Sequence, residues 1–168
     1  MRLVNTLILT FVLAVSALAQ QNLQVGQAAP DFAATTIDGR PVNLKDLHGK
    51  VVVLTFWSTR CAICHSELPK LNQVAQRYQG KDVVFLALTM ENAAKVQPYL
   101  QKNPFSSTVL TNGFGVVMKY ADLSKSGEIR MGFPSYYVID QNGQIDHRSE
   151  GWNKTTNVDS RISKLLGE

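Results

Sequence analysis

Two largely apolar runs, Val51–Trp57 and Val83–Leu88, stand out along the chain, the first broken only by Thr55. Both are short and rich in β-branched residues, so they predict strands covered on both faces. Between them, Cys61 to Tyr78 carries Ile63, Leu68, Leu71, Val74, Ala75 and Tyr78 at helical spacing. Pro69 falls inside that helix and should kink it, and Gly80 ends it. Glu91–Lys102 predicts a second helix, with Pro98 inside or splitting it. Ser107–Leu110 reads as a short strand and Val116–Ala121 as a short helix. Lys154–Leu166 closes the chain as an amphipathic helix with Val158, Ile162, Leu165 and Leu166 on one face. Turn chemistry marks two hairpins. Phe32–Ile37 and Arg40–Leu44 flank Asp38-Gly39, and Ser135–Asp140 and Gln144–Ser149 flank Asn142-Gly143. Lys45–Lys50 reads as one helical turn containing Gly49. Asp122–Met131 is polar, contains Ser126-Gly127, and reads as a loop.

Strands alternating with helices predict an α/β layered domain with parallel pairing in its first half. The terminal hairpin adds antiparallel edge strands. No repeat and no linker marks a second domain. The 168 residues, 45% hydrophobic and 18% charged, fit one globular unit. The net charge of +4 is spread without a Lys/Arg run, so it reads as solvated surface and argues against nucleic-acid binding. A monomer is expected.

The first residues change the compartment. Arg2, the apolar core Leu7–Ala14 and the small-x-small pattern Ala17-Leu18-Ala19 predict a signal peptide over 1–19, leaving 20–168 as the folded domain. The apolar stretch is short for a membrane span and is interrupted by Asn5, Thr6 and Thr10. A periplasmic or equivalent oxidising location follows, where a disulfide persists.

Cys61-Ala62-Ile63-Cys64 holds the only two cysteines, directly after the first apolar run. A ring this small restricts the unfolded chain little, so it is a poor staple. Two thiols at a helix start instead suit exchange chemistry, because the helix dipole and free N–H groups stabilise a thiolate.

Phe56-Trp57 before this motif, Pro69 five residues after Cys64, and Phe133-Pro134-Ser135 leading into Tyr136-Tyr137-Val138-Ile139-Asp140 complete a pattern. With it the chain resembles the thioredoxin superfamily, in particular its exported TlpA/ResA-like branch of thiol–disulfide oxidoreductases. The resemblance implies a thioredoxin-like fold, a central mixed β-sheet flanked by helices with an added N-terminal β-hairpin. It implies Cys61 as attacking nucleophile and Cys64 as buried resolving thiol. It implies a cis peptide bond before Pro134, and Trp57, Arg60, Ala62, Ile63, Phe133 and Pro134 around the bound partner. Glu67, three residues after Cys64, stands where that branch places an acid near the thiols; on periodicity alone it reads as a solvated helix glutamate. The buried acid of general thioredoxins, six residues before the first cysteine, is replaced by Thr55, and a common Trp before that cysteine by Arg60. Arg60 and His65 should lower the Cys61 pKa only partway, so a reductant or intermediate couple is expected. Protein disulfides are the expected substrates, apocytochrome c thiols among them, recharged by a membrane-linked electron donor. No cofactor is expected.

Three rival readings share these residues. With His65 the motif also spells C-x-x-C-H, the c-type haem attachment signature, and Met90, Met118 or Met131 could supply a second axial ligand. Against it, the motif follows an apolar strand and the Pro134 hairpin goes unused. A peroxiredoxin-like peroxidase has Ser58 in register, but Leu54 stands in place of its proline. A metal site would need His65 with distant His48 or His147, both expected to be solvated. Gly113-Phe114-Gly115 is no phosphate loop, and Asn153-Lys154-Thr155 matters as a sequon only in a eukaryotic secretory route.

Overall fold

The computed structural model describes residues 22–168. The expected signal segment 1–19 lies outside the described residues.

The six residues of β3 (Val51–Phe56) are all buried, as a run apolar but for Thr55 leads one to expect. Parallel to it lies β4 (Val83–Leu88), and parallel to β4 lies β5 (Thr108–Thr111), one residue later than the sequence pattern suggests. On the other side β8 (Ser135–Ile139) runs antiparallel to β3, with β9 (Ile145–Glu150) outside it. The entry hairpin, β1 (Ala33–Thr36) and β2 (Pro41–Asn43), pairs antiparallel with β5 through β1. The result is one mixed sheet of seven strands in the order β2-β1-β5-β4-β3-β8-β9. This is the expected thioredoxin-like α/β fold with its added hairpin.

Helices cover both faces. Odd residues of β3 (Val51, Val53) and Trp57 after it pack with α1 (Ala62–Arg77), α2 (Ala93–Lys102) and α4 (Thr155–Leu166) through Cys64, Leu68, Leu71, Val96, Val158 and Ile162. Even residues (Val52, Leu54, Phe56) pack with α3 (Phe114–Tyr120) through Val116, Val117 and Tyr120. Both helix prolines, Pro69 in α1 and Pro98 in α2, lie within continuous helices. Neighbouring packing outweighs the lost hydrogen bond, and Pro98 does not split α2. The turn before β3 is a 3-10 helix, Leu44–Leu47.

Two expectations need correction. Residues 122–131 are not a plain loop. Asp122–Leu123 (β6) and Ile129–Arg130 (β7) form an antiparallel ribbon closed by Ser124–Gly127. Strands of two residues leave no alternation to detect. Arg148 ties the ribbon to the sheet, with Nη1 and Nη2 donating to the two Asp122 carboxylate oxygens at 2.9 and 2.6 Å. His147, expected to be solvated, is half-buried in β9 with Nε2 3.0 Å from Ser149 Oγ. Desolvation first, then nearby cations, lowers its pKa.

Gly113, before α3, is required by proximity. A Cβ there would overlap Leu88 Cδ2 and stand 2.6 Å from its Cγ, and Leu88 has no exposed surface. Gly113→Ala should therefore cost about 1–3 kcal/mol of stability in denaturant unfolding. Exchange per folded molecule should be unchanged.

Candidate active site

The site begins at Trp57, the residue after β3. Its ring is fully buried and packs on Phe105 (centroids 4.6 Å) and Tyr99 (5.4 Å). Trp57, which the resemblance sets around the bound partner, thus forms a wall beneath the site with no exposed surface. Ser58, Thr59 and Arg60 turn the chain, and Cys61 N–H donates to the Ser58 carbonyl at 3.1 Å.

Cys61 is the N-cap of α1. Its Sγ accepts the Cys64 N–H at 3.0 Å, the role a serine or aspartate oxygen usually plays. The two cysteines form a disulfide. Cys61 is partly exposed and Cys64 has no exposed surface. The asymmetry follows from the helix: the cap lies outside the first turn, while a residue three positions on faces the sheet. In the reduced protein, the same N–H and the helix dipole stabilise negative charge on Cys61 Sγ. Arg60 and Ala62 are exposed and Ile63 is half-buried, so the rim around Cys61 carries one cation and small or apolar surface.

Because β8 is antiparallel to β3, with Ser135 opposite Phe56, its first residues reach the same end of the sheet as the disulfide. The Phe133–Pro134 peptide just before it is cis, as expected. Pro134 is buried and Phe133 half-buried.

Glu67 faces the sheet, not solvent, and has no exposed surface. Its Oε1 accepts from Lys70 Nζ at 2.7 Å and its Oε2 from the Asn153 N–H at 3.0 Å. Asn153 sits at φ +56°, a left-handed conformation that Asn tolerates, and its side chain also reaches Lys70. So the loop after β9 folds back to hold the acid on α1. Beside it, Tyr136 pairs across the sheet with Thr55, the residue standing in for the thioredoxin acid. Both are fully buried, and neither Thr55 Oγ1 nor Tyr136 Oη has a partner among the described residues. Burial first, and then the Glu67 charge, raise the Tyr136 pKa above its usual 10.

One contact escaped the sequence reading. Glu91, on the β4–α2 connection, accepts the Thr59 N–H at 2.7 Å and the Thr59 hydroxyl at 2.8 Å, and pairs with Lys95 at 2.7 Å. The four-residue spacing of Glu91 and Lys95 was its only sequence signal. Burial alone would raise the Glu91 carboxyl, but hydrogen bonds from Lys95 and from the Thr59 N–H and hydroxyl outweigh it and hold it at about 2, below its ordinary 4.5. A depressed native pKa stabilises the fold above the unfolded value. That contribution is lost as pH falls from about 4.5 towards 2. Glu91→Gln should therefore flatten the acid limb of the stability curve over that window, read by chemical unfolding at stepped pH.

A helix-capping cysteine pair with one thiol open and one buried, beside a cis-proline, on a thioredoxin-like sheet defines a thiol–disulfide oxidoreductase. The comparisons agree. The AhpC/TSA family model matches residues 25–148, and the chain belongs to that family. It is 26% identical to the thiol-disulfide oxidoreductase ResA of Bacillus thuringiensis subsp. konkukian over 147 residues, 87% of this chain and 81% of that protein. It is 32% identical to the thioredoxin-like protein YneN of Bacillus subtilis over 124 residues, 73% of this chain and 69% of the relative. Among solved structures, a Chlorobium tepidum chain assigned as the thiol:disulfide interchange protein DsbE superposes with a TM-score of 0.75 at 27% identity, covering 87% of this chain and all of that one.

Proposed function

We propose that the protein reduces protein disulfides outside the cytoplasm, with Cys61 as attacking thiolate and Cys64 as resolving thiol. The observation that carries this is the exposure contrast between the two sulfurs at the start of α1. In the reduced enzyme, Cys61 Sγ attacks one sulfur of a partner disulfide. An enzyme–partner S–S bond forms, the partner S–S bond breaks, and one partner thiolate leaves. Cys64 Sγ, having lost its proton, then attacks Cys61 Sγ. The enzyme disulfide closes and the second partner thiolate leaves. Two electrons pass to the partner, and a membrane-linked donor restores the enzyme dithiol. The groove beside Pro134, with Arg60, Ala62, Ile63 and Phe133, holds the partner chain. Buried Glu67 takes the Cys64 proton during resolution.

Residues 1–19 direct export and are removed, which places the mature chain in a periplasm. Among the described residues, no helix is long and apolar enough to cross a membrane. Cytochrome c maturation is one place for such a reductant, where the partner disulfide lies in an apocytochrome.

His65 bears on the haem reading. Its Nε2 lies 2.9 Å from the Thr59 carbonyl, and its ring stacks on Tyr99 at 5.2 Å. A carbonyl only accepts, so Nε2 carries a proton there and is not free for an iron. Disulfide exchange is therefore the reading retained. It is tested by mixing the reduced protein with a disulfide-bonded test protein and counting thiols. Two partner thiols should appear for each Cys61–Cys64 disulfide formed, and a count of none refutes the proposal.

A further inference from the structure

The turn that presents Cys61 is held from two sides. Thr59 donates its N–H and hydroxyl to Glu91, 32 residues away in sequence, and its carbonyl accepts from His65 Nε2 on α1. Every polar group of Thr59 is thus engaged. Within the same turn, Arg60 N–H reaches Ser58 Oγ at 3.2 Å and Cys61 N–H reaches the Ser58 carbonyl. The two holding residues share one support. Lys95 of α2 pairs with Glu91, and Tyr99, one helical turn later on the same face, stacks under His65. Glu91 is itself anchored, its carbonyl accepting the Asn112 N–H at 3.0 Å after β5.

Resting on the exchange reading above, we propose that Glu91 and His65 clamp the Thr59 peptide between them and act as positioning residues for Cys61, with one face of α2 bracing both arms. The physical reason is orientation. Attack on a disulfide needs the sulfur placed in line with the bond it breaks, and small misplacements cost large factors in rate. Cys61 is a cap residue: its carbonyl accepts the first helical hydrogen bond, from the His65 N–H at 3.2 Å, but its own N–H goes back to the Ser58 carbonyl, so its position depends also on the turn before it. Thr59, two residues away, is where that turn is pinned. The carboxylate acts here through geometry, since its charge is already met by Lys95.

That distinction sets the test. Glu91→Gln keeps an acceptor for the Thr59 N–H and a donor for its hydroxyl, but drops the charge. Glu91→Ala removes both hydrogen bonds. The experiment follows the rate of mixed-disulfide formation per titrated Cys61 thiol, alongside hydrogen exchange of the Thr59 amide. Glu91→Ala should slow attack about tenfold and unprotect the Thr59 amide, while Glu91→Gln stays within about twofold of wild type on both. Loss of melting temperature alone, with attack unchanged in Glu91→Ala, overturns the proposal. So does equal slowing in both variants, because that would assign the effect to charge. Should Glu91→Ala fail to fold, His65→Ala at its exposed position removes the other arm and should also slow attack; an unchanged rate there overturns the clamp. Inactive wild type would instead refute the exchange reading, and the Thr59 amide would then decide the clamp by itself.

Discussion

Cys61→Ser should lower the rate of disulfide reduction at least about a thousandfold and leave the fold in place. The substitution changes one atom at a half-open cap position. A serine hydroxyl still accepts the Cys64 N–H that Cys61 Sγ accepts now, so α1 keeps its start. What disappears is the thiolate. A hydroxyl is not ionised near neutral pH, and the helix dipole cannot lower its pKa far enough to matter. Cys64 does not substitute for it, because its sulfur has no exposed surface for a partner to reach. The converse variant, Cys64→Ala, should keep the first attack and lose the second. Mass spectrometry should then find the partner joined to Cys61. Joining to neither variant, or full activity in Cys61→Ser, would break the assignment of roles.

The second large effect is expected at Glu67. Glu67→Gln preserves shape, and its amide oxygen still accepts the Asn153 N–H. It removes the proton acceptor and the pairing with Lys70. If Glu67 takes the Cys64 proton, resolution of a preformed mixed disulfide should slow about a hundredfold, with the initial attack by Cys61 unchanged. Stopped-flow measurement of the two steps separates them. Equal resolution rates in Glu67→Gln and wild type would reduce Glu67 to a tie between α1 and the loop after β9. Glu67→Ala makes the contrast sharper, since it also removes the charged acceptor that the Asn153 N–H and Lys70 Nζ reach and should cost about 1–3 kcal/mol of stability besides.

The path from sequence to site was uneven, for physical reasons. β3 was legible because burial on both faces leaves an apolar run broken only by Thr55, and the two hairpins because Asp38-Gly39 and Asn142-Gly143 carry the turn chemistry. The cysteine pair was legible because its spacing is local and follows that strand. Glu67 was ambiguous from sequence. It sits on a helix whose far side is solvent, and one of the groups that hold its buried carboxylate is the Asn153 N–H, 86 residues downstream. Trp57 is a further case: the resemblance implied a place around the partner, and its full burial against Phe105 and Tyr99 came from side chains more than 40 residues downstream, which no local pattern shows. The Glu91 clamp was invisible for the reason Glu67 was ambiguous, since side-chain contacts across 32 residues leave no periodicity. The ribbon at 122–131 was missed because two-residue strands carry no pattern.

The claim that the Cys61–Cys64 couple serves as a reductant is tested most directly by its reduction potential. The purified protein would be equilibrated in defined dithiol/disulfide buffers and the fraction of disulfide read by thiol alkylation. One two-electron transition is expected on the reducing side, nearer thioredoxin at about −270 mV than a strong oxidant at about −120 mV. A transition at the oxidant end would mean that the protein forms disulfides instead of reducing them, and would contradict the direction of electron flow proposed here.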